Sequence, residues 1–140
     1  MSVPTRLPPP SNPALLPVLA AVTYLAAVVA LWGVLSLALD RNVIDYPDAG
    51  PLLGPTMAGV AGILTWLVSW RSRSWAAAFL AMVASYLGML VVAAVGYTVT
   101  RGDLTTLLTA AAHFAISPFV LGAAALSGLT VVAVHLLRPR

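Results

Sequence analysis

Apolar residues fill four long stretches of this chain, and polar residues gather in the short gaps between them. The stretches run over about 14–39, 51–70, 75–100 and 104–137. As a helix rising 1.5 Å per residue, each is long enough to cross ~30 Å of hydrocarbon. The fourth is too long for one straight crossing, at ~50 Å, and Pro118 is the residue that breaks it. It reads as an interfacial helix over about 104–115 followed by a span over about 116–137. The pattern predicts an all-α membrane protein, a four-helix transmembrane bundle with its fourth helix broken near Pro118, forming one transmembrane domain over 14–140. Pro17 and either Pro51 or Pro55 fit the first turns of their helices, where proline is tolerated.

The gaps carry the signals that orient this bundle. Trp70-Arg71-Ser72-Arg73-Ser74-Trp75 is a tight turn in which two tryptophans bracket two arginines. Tryptophan favours the membrane–water interface, and arginines in short loops favour the cytoplasmic side. The longest gap, 40–50, holds Asp40, Asp45 and Asp48, spaced unlike any calcium loop, so it reads as a solvated acidic connection. Arg101-Gly102-Asp103 is a short turn with Asp103 as an N-cap for the helix that follows. Before the first span, residues 1–13 hold five prolines and read as a disordered, extended cytoplasmic tail. The apolar run after that tail exceeds the 7–15 residues usual in a signal peptide, which favours a retained helix.

Composition narrows the class further. Hydrophobic residues make up 61% of the chain and charged ones 8%, with a mean hydropathy of +0.98, whereas a soluble domain carries about 25% charge. The chain has no Cys, which removes disulfides and thiolate chemistry, and no Lys, Glu or Gln. Its basic balance comes from a few arginines beside membrane segments, which points to topology and lipid contact with the bilayer and away from nucleic acid. With both termini in the cytoplasm, Arg6, Arg71, Arg73, Arg138 and Arg140 lie inside, while Arg41, Arg101 and all four aspartates lie outside. That arrangement obeys the positive-inside rule for a multi-pass protein of the inner (plasma) membrane, and its inverse does not.

Small residues mark where helices approach. Gly54, Ala58 and Gly62 recur every four residues, with Ala61, Thr65 and Ser69 in the adjoining row. Ala77, Ala81 and Ser85 form a third row, Ala84, Gly88 and Gly96 a fourth, and Ala124 with Gly128 a fifth. Ala26, Ala30 and Gly33 line one face of the first helix. Such rows allow close backbone approach in membranes. A weak internal repeat is also present: Thr23-Tyr24-Leu25 resembles Ser85-Tyr86-Leu87, and Pro55, Gly59, Ala61 resembles Pro118, Gly122, Ala124. These matches suggest a tandem helical-hairpin repeat about an axis along the membrane normal.

Reactive chemistry is sparse. No carboxylate lies inside an expected span, which argues against proton-coupled drug export. There is no phosphate-binding glycine loop and no metal-ligand spacing, and no cofactor is expected. His135 and the aspartates fall on opposite sides, so no Ser–His–Asp triad is implied. Haem ligation by His113 and His135 within one chain fails on their ~33 Å separation along a helix. His113 is the more suggestive histidine, since it precedes the Pro118 break, one turn from Ser117. His113, Ser117 and Tyr86 are the candidate polar site, set against the plainer reading of His113 as an interfacial residue bonded to water or a carbonyl.

In size, layout and Ala/Val/Leu/Arg bias, the chain resembles the small four-span integral membrane proteins of unknown function from GC-rich bacteria. The resemblance carries no diagnostic motif and implies no active site. Two functions then compete. One is a non-catalytic accessory or assembly subunit that packs against a membrane-protein partner or its own copies. The other is a small oligomeric transporter or channel with a path lined by His113 and Ser117.

Overall fold

The computed structural model describes residues 15–44, 51–71 and 74–137. The expectations for the 1–13 tail, for Asp45 and Asp48, and for Ser72 and Arg73 lie outside the described residues. The described chain is helical: α1 (Leu15–Leu39), α2 (Leu53–Arg71), α3 (Ala76–Arg101), α4 (Thr106–Ala115) and α5 (Pro118–Leu137). α1, α2, α3 and α5 are long and apolar enough to cross a membrane. At 1.5 Å per residue their 25, 19, 26 and 20 residues extend ~28–39 Å, which matches the hydrocarbon thickness.

Each helix end has a local cause. α1 stops at Asp40, whose φ of 48° is a left-handed conformation that Asp tolerates better than most residues. The Arg41 N–H donates to the Ser36 carbonyl, and the Ser36 hydroxyl donates to the Arg41 carbonyl, so residues 36–41 are tied in both directions. α3 stops at Gly102, φ 68°, whose N–H donates to Thr98 O at 2.9 Å. Glycine is needed here because a side chain disfavours this φ. Asp103 does not cap α4 directly. Its Oδ1 accepts from the Thr105 N–H and hydroxyl, organising the turn before the helix, while the N-cap position itself falls to Thr105. These two bonds hold the Asp103 carboxyl below its ordinary range.

The break in the fourth traverse is at Pro118. Proline has no N–H to give to Phe114 O, and that carbonyl takes the Ser117 N–H instead. Leu121 N–H then opens α5 by donating to Ser117 O. α4 is integrated into the bundle: Ala110 and Phe114 belong to the main core, and α4 packs chiefly along α3. The Tyr86 hydroxyl, from the middle of α3, donates to Ala115 O at 3.0 Å and fastens the last turn of α4.

Around the perimeter α1 packs on α2, α2 on α3, α3 on α5 and α5 on α1. α2 also meets α5 across the centre, whereas α1 and α3 do not touch among the described residues. A two-fold axis running between α2 and α5 would give this pattern. Tyr24 and Tyr86, like Thr65 and Ser127, stand 62 residues apart (86 − 24 and 127 − 65), and Thr65 meets Ser127 on the α2–α5 contact. The two tyrosines differ in partner, since Tyr24 reaches α5 and Tyr86 reaches α4.

The small rows sort by burial. Gly54, Ala58, Gly62, Ala124 and Gly128 are buried, and Gly88 is half-buried. A Cβ on Gly62 would stand 3.0 Å from Leu25 of α1, and one on Gly88 would stand 2.6 Å from Leu64 of α2. On Gly128 it would meet the Ala78 carbonyl oxygen of α3 at 3.2 Å, a backbone atom that cannot swing away. The Ala26, Ala30 and Gly33 row is exposed, and a Cβ at Gly33 meets nothing within 4 Å.

These contacts predict opposite outcomes for two glycines. Gly128→Leu should destabilise the fold by about 1–3 kcal/mol through overpacking, and Gly33→Leu should not. Thermal denaturation of both variants in detergent checks this; equal midpoints would remove the close α3–α5 approach as a source of stability.

Candidate functional site

Three hydroxyls meet at the centre of the bundle, one from each of α2, α3 and α5. Thr65, Ser85 and Ser127 are all fully buried. The helices bring them together because each lies in a small-residue surface: Thr65 follows Ala61 by one turn, Ser85 follows Ala81, and Ser127 adjoins Gly128. Thr65 Oγ1 donates to the Ala61 carbonyl at 2.8 Å, and Ser85 Oγ donates to Ser127 Oγ at 2.9 Å. A hydroxyl has a single proton, so the 2.8 Å contact between Ser127 and Thr65 is donated by Ser127. The result is an ordered chain, Ser85 to Ser127 to Thr65 to the Ala61 carbonyl, in which every proton has an acceptor. Apolar Tyr24, Val28, Met89 and Ala123 pack in the same core, at 0% exposure.

A second set of bonds ties α1 to α5. Tyr24, Val28 and Trp32 recur every four residues on the buried face of α1. The Trp32 indole N–H donates to Phe119 O at 2.9 Å, and the Tyr24 hydroxyl to Ala123 O at 3.2 Å. The two donors stand eight residues apart and the two acceptors four, in opposite order along their helices, as an antiparallel pair requires: the later donor, Trp32, takes the earlier carbonyl, Phe119 O.

The residues expected to form a polar site separate. His113 and Ser117 line an open crevice of about 190 Å³ together with Arg41 and Asn42 of the α1–α2 connection, floored by Phe114 and Phe119. The His113 ring is exposed and stands edge-on to Phe114, at 5.6 Å and 89°. Tyr86 does not line this crevice; its hydroxyl is engaged with Ala115 O. In the sequence Arg41 marks only a charge outside the membrane, and the crevice makes it a neighbour of His113. His135 sits at the far end of α5, its ring 4.4 Å from that of Trp75. Among the described residues no group of three His, Cys, Asp or Glu is placed to hold a metal ion.

The sequence rows contained Thr65 and Ser85 but gave no reason to join them, and Ser127 carried no mark of its own. Its partners lie 42 and 62 residues away in sequence, and spacing along one helix carries no record of them.

Over residues 11–139 the sequence matches the model of a family of unknown function, DUF6121. No curated protein and no solved structure matches the chain.

Ser127 is both acceptor and donor in the chain of hydroxyls, so removing it leaves the Ser85 hydroxyl with the longer, 3.4 Å contact to the Ala61 carbonyl. Ser127→Ala should cost about 0.6 kcal/mol, the average for hydrogen bonds between membrane helices, and at most about 1.7 kcal/mol. Thr130→Ala should cost less, because Thr130 bonds only the Leu126 carbonyl of its own helix. Unfolding of the purified variants by a denaturing detergent compares them, and equal losses would deny the central chain its role.

Proposed function

We propose that this chain, which belongs to the DUF6121 family of unknown function, is a non-catalytic integral membrane protein that works by helix packing. In this reading it is an accessory or assembly subunit, paired with a membrane-protein partner or with copies of itself. The observation that carries the reading is the centre of the bundle. Where a solute path or a reacting group would sit, Thr65, Ser85 and Ser127 use their protons on one another and on Ala61 O. Support also comes from α1, whose outward face offers Val22, Val29 and Val34 beside Ala26, Ala30 and Gly33. A surface of that kind suits helix contact within a membrane.

A second reading, a small oligomeric transporter or channel, draws on the crevice that gathers His113, Ser117 and Arg41. It needs several copies, because the core of one copy is filled by side chains. For either reading we favour the plasma membrane with both termini in the cytoplasm, on the distribution of arginines and aspartates.

Two outcomes follow. The cysteine-free sequence allows single-site labelling: with an impermeant thiol reagent on intact cells, Asp45→Cys should react and Ser72→Cys should not. The reverse result would invert the topology. For function, wild type and His113→Ala should recover the same partner on purification, and neither should support solute flux in proteoliposomes. Flux in the wild type that His113→Ala abolishes would replace the packing role with transport.

A further inference from the structure

The two ends of the bundle differ in chemistry. Every acid of the chain belongs to the connections at one end: Asp40, Asp45 and Asp48 between α1 and α2, and Asp103 between α3 and α4. The other end holds three of the four tryptophans, Trp66, Trp70 and Trp75. Trp66 and Trp70 stack on the last turns of α2, with centroids 5.4 Å apart. Trp75, just before α3, meets His135 in the last turn of α5 at 4.4 Å, so the start of α3 and the end of α5 are closed against each other there. Trp70 and Trp75 remain 55% and 60% exposed, and Arg71, the last residue of α2, is exposed between them in sequence. No carboxylate of this chain lies in a connection at this end to pair with Arg71.

We propose that this end is a docking surface for anionic phospholipid headgroups. Arg71 takes the headgroup phosphate, because a guanidinium offers a planar fork of donors matched to phosphate oxygens. Trp70 and Trp75 bracket it at the depth where indole rings favour the boundary between hydrocarbon and headgroups. The charge argument selects the partner. An end whose sequence carries arginines and no acidic side chain attracts a leaflet rich in anionic lipid, and gains nothing comparable from a zwitterionic one. In the sequence Arg138 and Arg140 follow Leu137, the last residue of α5. The opposite end is a poor competitor for the same ligand, since Arg41 and Arg101 each have an aspartate within two residues.

The test uses the full chain in a neutral detergent, titrated with phosphatidylglycerol or phosphatidylcholine, with retained lipid counted by native mass spectrometry. The expected result is retention of phosphatidylglycerol over phosphatidylcholine, fading between about 0.1 M and about 1 M salt as the screening length falls from ~10 Å to ~3 Å. Arg71→Gln should weaken that retention about fivefold, the effect of one cation near an anionic surface. Arg41→Gln, at the acidic end, should leave it unchanged. Equal retention of the two lipids, or an equal loss from Arg41→Gln, would overturn the proposal. A third arm adds inorganic phosphate: displacement of the lipid at millimolar phosphate would assign the site to a free anion and overturn it as well.

Discussion

A carbonyl or hydroxyl placed in hydrocarbon has no water to turn to, and the arrangement of this bundle follows from that constraint. Pro118 interrupts the fourth traverse, and the interruption leaves backbone groups to be satisfied from elsewhere. The Phe114 carbonyl takes Ser117 N–H from its own turn, and the Ala115 carbonyl takes the Tyr86 hydroxyl from α3. Lower down, three buried hydroxyls solve the same problem among themselves and finish on the Ala61 carbonyl. The apolar contacts around them are unspecific, since lipid tails are as apolar as Leu or Val. Hydrogen bonds and close glycine contacts are therefore what select one packing among many.

Much of the architecture was legible in the order of residues. Four spans follow from the lengths of the apolar runs, and the break follows from one proline that cannot donate. The glycines at 54, 62 and 128 were readable as contact points because a four-residue recurrence is a property of a single helix. Which helix each one meets was not readable: Gly62 meets Leu25 of α1, and Gly128 meets Ala78 of α3. Ala26, Ala30 and Gly33 show the limit of that signal, for the same kind of row faces outward. Local spacing records that a surface is small, and it carries no information on what lies opposite.

The candidate site shows the same division. His113 and Ser117 share a crevice because they stand four residues apart at the end of α4, just before the Pro118 break. Tyr86 stands out in the sequence as polar within a span, and its polarity is spent on Ala115 O. Ser127, the link between α2 and α3, is a single hydroxyl in a run of Ala, Leu and Gly. Its importance is a property of three helices at once.

The ties between α1 and α5 join residues 87 and 99 positions apart. During synthesis α1 enters the bilayer first and α5 last. For most of that time the Trp32 indole and the Tyr24 hydroxyl have no carbonyl of α5 to receive them, and α1 can lean only on α2, through contacts such as Leu25 against Gly62. A chain that holds α1 to α4 alone therefore lacks both acceptors, and its first helix rests on α2. Closure comes when the last twenty-residue helix arrives and the earliest helix becomes the last to lock.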